Sequence, residues 1–127
     1  MKIFDLSLPI DERTPNWPGD PKIVIKQFST VEKDAISKKV ITFHSHFSTH
    51  IDAPSHMIAR GKTLSDYPIE KFVGEGIVLD VRGQKEIKTN LSSVQEDDMV
   101  FFLTSHSDKI YEKDYFTSNP VLSSVTA

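Results

Sequence analysis

Residues 46–56 read His46-Phe47-Ser48-Thr49-His50-Ile51-Asp52-Ala53-Pro54-Ser55-His56, which places three imidazoles and one carboxylate within eleven positions. Four of the five histidines of the chain fall between residues 44 and 56. Imidazoles and carboxylates withdrawn from water need partners, and crowding several together without a cation accumulates desolvation costs. The run therefore reads as a divalent-metal site. Fully extended chain would separate the Cα atoms of His46 and Asp52 by about 20 Å, at roughly 3.3 Å per residue, too far for one ion. On a helix, His50 and Asp52 are two apart and cannot share a face. The backbone must then turn between His46 and His50, at Ser48-Thr49, and the site belongs to a strand end and its loop.

Outward from that turn, the pattern is mostly β. Ile41, Phe43 and Phe47 fall on one face of a strand, expected to point inward, while Val40, Thr42, His44 and His46 fall on the other. Lys2 to Leu8 alternates with period two and reads as an edge or half-buried strand ended by Pro9. Pro15, Pro18, Gly19 and Pro21 punctuate a loop that carries Trp17, and Ile23-Val24-Ile25 opens a second strand. Thr63 to Val73 reads as a short irregular segment interrupted by Pro68. Gly74 and Gly76 bracket a turn before the buried strand Ile77-Val78-Leu79 with Val81. Thr89 to Asp97 is a short helix candidate and Met99 to Leu103 a further buried strand. Asn119-Pro120 followed by Ser123 or Ser124 as N-cap reads as a helix start with few residues after it.

The composition narrows the function. A chain of 127 residues supports one hydrophobic core, so a single domain over 1–127 is expected. Its net charge of −3 comes from 18 acidic and 15 basic residues without a block of one sign, which argues against nucleic acid. No stretch is apolar for long enough to span a membrane or to form a secretory core. The chain has no cysteine, which removes thiolate ligands and fits a cytoplasmic location.

Any metal must then be held by His, Asp or Glu, and His46, His50 and Asp52 are the candidate ligands. A two-His, one-carboxylate set with open positions suits zinc, manganese or iron, and the residues alone do not choose among them. Pro54 separates His56 from this set and can aim its imidazole at the reacting water without ligation, so His56 is the candidate general acid/base; a fourth ligand or a supporting imidazole is the other reading. A metal lowers the pKa of bound water from about 15.7 to near 7, and an imidazole can take that proton and return it to a leaving nitrogen, which suits amide or ester hydrolysis. Trp17 either stacks on a substrate ring or packs as a lid over the core. His44 reads as a supporting or core residue, His106 as a surface-loop residue, and Asp5, Asp20 and Asp80 as caps and turns.

The same run resembles the signature H-x-G-T-H-x-D-x-P-x-H of the cyclase-like metal-dependent hydrolases that include bacterial kynurenine formamidase and isatin hydrolase. One position departs, Ser48 standing where the family has glycine. The segments F-D-L-S-L-P-I, W-P-G-D-P, T-L-S-D-Y-P-I-E-K-F-V-G-E-G-I-V-L-D-V and D-Y-F-T-S-N-P-V-L-S are similar too. The resemblance covers the N-terminal majority of the family domain, so the chain is expected to be incomplete at its C-terminus. It implies an α/β fold with a mixed, β-rich, barrel-like sheet and few helices, and homodimers or larger assemblies. It also implies that His46, His50 and Asp52 ligate metal, with Asp52 able to bridge two ions, and that His56 is the catalytic acid/base. The family's second-ion ligands, a His and a Glu, lie in a C-terminal segment this sequence lacks. The implied substrate is a small amide, most simply an aryl formamide such as N-formylkynurenine of tryptophan catabolism. The alternative is an impaired relative that binds metal or a small ligand, or only assembles. Serine at position 48 should cost about 1 kcal/mol if the turn needs positive φ.

Overall fold

The computed structural model describes residues 1–124 and 126. Two strands, β1 (Val24–Ser29) and β2 (Lys38–Thr42), form an antiparallel hairpin closed by the one-turn helix α1 (Val31–Asp34). The register runs from Val24 opposite Thr42 to Gln27 opposite Lys39 and then shifts before Ser29. The Gln27 amide fills that irregularity by donating to the Lys38 carbonyl at 3.0 Å. The hairpin's second arm delivers the chain to the His-rich turn.

Downstream, β3 (Gly76–Asp80) pairs in parallel with β5 (Met99–Leu103), and the short β4 (Glu86–Ile87) pairs in parallel with β6 (Val121–Leu122). Parallel neighbours require a crossover, and residues 81–98 supply the one between β3 and β5. A Cβ at Gly76 would meet the Phe101 ring at 2.9 Å, so a larger residue there would require that exposed ring to shift. Among the described residues the strands make three separate two-stranded sheets and close no barrel; the fold is mixed α/β with few helices. No described helix is long and apolar enough to cross a membrane.

Burial is thin. Among the described residues, Ile23, Phe47, Val81 and Ile87 are the buried apolar ones, while Ile3, Phe4, Leu6, Val78 and Phe101 are exposed. The accessible surface is 10759 Å², whereas a compact monomer of 14.4 kDa exposes about 6,800 Å². A surface about 1.6 times that value leaves much apolar area in water, and the chain alone gains correspondingly little from burial.

Several sequence expectations change. Lys2 to Leu8 is not a strand. Asp5 Oδ1 instead accepts from the Ser7 N–H at 2.9 Å, a local turn that competes with a ladder. Thr89 to Asp97 is not helical, because Asn90 accepts from the Ser92 N–H at 2.8 Å and Asp98 from the Gln95 N–H at 2.7 Å. Side chains satisfy these backbone donors locally, and no helix is needed to do so. The second strand begins at Val24 and runs on to Ser29, while the third stops at Thr42, so its apolar face turns inward only at Phe47; Ile41 and Phe43 stay exposed. Val121 and Leu122 form β6 where a helix start was read, and the Thr126 N–H donates to the Ser123 carbonyl at 3.0 Å. The remainder of that expected helix runs onto residues 125 and 127, outside the described residues. The irregular reading of Thr63 to Val73 matches two short 3-10 turns, Leu64–Asp66 and Ile69–Phe72, and the strand Met99–Leu103 has the expected bounds. Neither it nor Gly76–Asp80 is buried as expected: Val78, Phe101 and Leu103 are exposed, since among the described residues nothing packs over that two-stranded sheet.

Candidate metal centre

Past β2 the chain bends at once, the Phe47 N–H donating to the His44 carbonyl at 3.2 Å. Phe47 is buried, which anchors the turn, and Ser48 then takes φ +60°. The reversal falls where the spacing of the histidines requires it. Serine in this left-handed region costs about 1–2 kcal/mol relative to a right-handed backbone. Two contacts to the N-terminal segment offset part of it: Ser48 Oγ donates to the Leu8 carbonyl at 3.2 Å, and Thr49 Oγ1 accepts from the Leu8 N–H at 2.9 Å.

The turn brings His46, His50 and Asp52 together. His46 Nδ1 lies 2.8 Å and His50 Nε2 3.3 Å from Asp52 Oδ1, and the two nitrogens are 3.3 Å apart. Ligands about 2.0–2.1 Å from a tetrahedral ion sit roughly 3.3–3.4 Å from one another, and about 2.9 Å apart around an octahedral one. The observed triangle has nearly those edges. The tautomer of His50 agrees with ligation: its Nδ1 lies 2.8 Å from the Ser48 carbonyl, which can only accept, so in the neutral ring Nε2 carries the free lone pair. The side chains of His46, His50 and Asp52 remain 36, 29 and 54 % exposed, leaving open positions toward water. The donor set could hold a divalent metal.

His56 stands beside this triangle, outside it. Its ring lies 4.0 Å, centroid to centroid, from that of His46. A 3-10 turn, Pro54–His56, begins at Pro54 and carries His56 at its end. The Ser55 N–H donates to the Lys62 carbonyl at 3.0 Å and closes the loop, and Gly61 makes that closure possible, since a Cβ there would lie 2.7 Å from the Pro54 carbonyl carbon.

The triangle lines a cleft of about 720 Å³. Trp17 lies on its wall, as a loop residue more than half exposed. The Trp17 ring meets Phe116 edge-on at 5.3 Å; Phe116 meets Tyr115 at 4.9 Å; Tyr115 stacks on His106 at 4.6 Å. His106 is thus half-buried behind the aromatic wall, its Nε2 2.8 Å from the Tyr115 carbonyl, and is not the surface residue the sequence suggested. His44 reaches the cleft as a neighbour of the metal-ligand candidates, bonded to Asn16 Oδ1 at 2.7 Å. Asp20 does sit in a turn, its N–H on the Trp17 carbonyl at 3.1 Å, and its side chain lines the cleft as well. Asn16, Asp20, Tyr115 and Phe116 were not legible as cleft residues, because long-range packing alone brings them there.

The family model described as "Putative cyclase" matches residues 4–127. The chain belongs to this cyclase family. Among curated relatives, a kynurenine formamidase of Geobacillus thermodenitrificans is 32% identical over 85 residues, covering 66% of this chain and 41% of the relative. Those of Bacillus cereus and Bacillus anthracis are 30% identical over 116 residues and 33% identical over 101, covering 86% and 74% of this cyclase-family chain and 54% and 48% of theirs. The chain therefore spans about half the length of these relatives.

Proposed function

We propose that this cyclase-family chain is a metal-dependent hydrolase of a small linear amide, an aryl formamide such as N-formylkynurenine being the simplest substrate. The observation that supports it most is the triangle of His46, His50 and Asp52 donors with the His56 ring beside it, tilted against that of His46. The three would hold a divalent cation, zinc first and manganese second, which when bound supplies Lewis acidity to a carbonyl and to water. His56 would accept a proton from the attacking water as its oxygen bonds to the formyl carbon, and deliver a proton to the nitrogen as the C–N bond breaks. Trp17 would hold the aryl ring against the cleft wall. The kynurenine formamidase names of the relatives favour this substrate class.

We further place the chain in one domain that self-associates, because so large an apolar surface is better covered by a second copy. A barrel-like layer would close only if more strands joined the open sheet edges. A second reading, a relative that binds metal or a small ligand without turnover, is favoured by one observation: the chain matches only half the length of the relatives. Elemental analysis of the purified protein alongside hydrolysis of N-formylkynurenine separates the two. The hydrolase reading expects bound metal and turnover that His56→Ala reduces about 100-fold or more with metal retained. Full activity in that variant would remove His56 from its role, and a metal-loaded but inert wild type would favour the second reading.

A further inference from the structure

The three candidate ligands are held in two different ways. Phe47 is buried and its N–H donates to the His44 carbonyl at 3.2 Å, which fixes His46 between them. Residues 48–52, which carry His50 and Asp52, have no such anchor of their own. Among the described residues, the two hydrogen bonds that join this segment to chain outside residues 46–52 both end on Leu8. Ser48 Oγ donates to the Leu8 carbonyl at 3.2 Å, and Thr49 Oγ1 accepts from the Leu8 N–H at 2.9 Å.

Leu8 suits this task. It precedes Pro9, and a residue before proline is steered away from helical backbone to extended backbone. An extended residue points its N–H and C=O to one side, as in a strand that exchanges both bonds with a single partner. Here two hydroxyls stand in for the partner strand. Pro9 is fixed in turn, its carbonyl accepting from the buried Thr14 hydroxyl at 2.6 Å, and Leu8 is itself half-buried on the cleft wall.

The anchor reaches the metal ligands through Ser48. The Ser48 carbonyl lies 2.8 Å from His50 Nδ1 and can only accept, so while Ser48 is held the neutral His50 ring keeps its proton on Nδ1 and presents Nε2. That Nε2 is the atom 3.3 Å from both His46 Nδ1 and Asp52 Oδ1. Ser48 takes φ +60°, a conformation that an unrestrained serine leaves readily, and the Leu8 bonds oppose that escape.

We propose that Leu8 is a positioning residue of the metal centre: it pins Ser48 and Thr49 so that His50 and Asp52 are arranged for the ion before the ion binds. This rests on the reading of the triangle as a metal site. A site that is competent only part of the time binds more weakly by that fraction. The usual net worth of a hydrogen bond corresponds to about two- to tenfold in an equilibrium. Losing one hydroxyl should weaken zinc by about that factor, and losing both by more.

The full chain is compared with Thr49→Val, which is close to isosteric, with Ser48→Ala, which removes the hydroxyl and leaves the backbone cost in place, and with the double variant. Zinc affinity is measured by competition with a chromophoric chelator at a temperature well below each unfolding midpoint. The His50 tautomer is read by ring-nitrogen NMR without metal, at a pH where the ring is neutral. Each single variant is expected to bind zinc about two- to tenfold more weakly, and Thr49→Ser to match the wild type. The metal-free double variant should show His50 protonated on Nε2 as well as on Nδ1. A role in stability alone would lower the midpoint and leave both readouts unmoved, which would overturn the proposal, as would Thr49→Ser binding as weakly as Thr49→Val. A wild-type chain that binds no zinc sinks the metal reading, and the tautomer then decides the positioning by itself: release of His50 from Nδ1 in the double variant sustains it, and an unchanged tautomer overturns it.

Discussion

Replacing Gly61 by alanine should destabilise the loop that carries His56. An added Cβ would lie 2.7 Å from the Pro54 carbonyl carbon, 2.8 Å from the Ser55 nitrogen and 2.9 Å from the Ile58 oxygen. All three are backbone atoms, and none can swing aside as a side-chain tip could. Backbone must move by several tenths of an ångström on more than one side, against the Ser55–Lys62 bond at 3.0 Å and the Ile58–Pro54 and Gly61–Ile58 bonds at 2.8 Å. Overpacking of this kind costs about 1–3 kcal/mol. Gly61 does not have positive φ, so the backbone itself admits alanine. Without the clash, the substitution should stabilise by about 0.4–1 kcal/mol through the unfolded state. The two effects have opposite signs, which makes the test decisive. Urea unfolding should show a lower midpoint for Gly61→Ala, and amide exchange should show faster exchange of the Ser55 N–H. A midpoint at or above that of the wild type would refute the steric reasoning.

Other expectations follow from the same geometry. Zinc at one hundred times its dissociation constant should stabilise the fold by about 2.7 kcal/mol in thermal or urea unfolding, and a chelator should remove the gain. Asp52→Ala should lose that response, whereas His56→Ala should keep it, since His56 lies outside the donor triangle. Phe116→Ala removes the edge contact with Trp17 at 5.3 Å, a pair worth about 0.5–1.5 kcal/mol; Trp17 emission should shift to the red and aryl probes should bind more weakly. Arg82, hydrogen-bonded to Asp80, pulls that carboxyl down to about 2. A depressed carboxylate contributes stability that is present above its unfolded pKa, near 3.9, and is lost as pH falls through the folded value. Arg82→Ala should therefore return Asp80 to the ordinary carboxylate range in a carbon-detected NMR titration and move its acid transition upward.

The residues His46 to His56 determined by themselves that a turn must fall at Ser48-Thr49, because the reach of an extended chain and the pitch of a helix both forbid one ion otherwise. Covalent geometry enforces that at any tertiary contact, and Ser48 takes φ +60° accordingly. The strand Met99–Leu103 and the irregular stretch around Pro68 were legible for the same reason, since β-branched and aromatic runs and prolines act locally. Tertiary structure decided the rest. Whether Lys2 to Leu8 pairs depends on a partner strand, and its period-two pattern carries no information about one; Asp5 and Ser7 satisfy each other instead. Thr89 to Asp97 lost its helix to Asx-type bonds that each save one donor at short range. Asn16, Asp20, Tyr115 and Phe116 join the cleft across long sequence separations, through one hydrogen bond to His44 and one edge contact to Trp17. The sequence thus supplied the candidate ligands, whose spacing is a local constraint, and the folded chain supplied the cleft walls beside them, which only long-range packing can assemble.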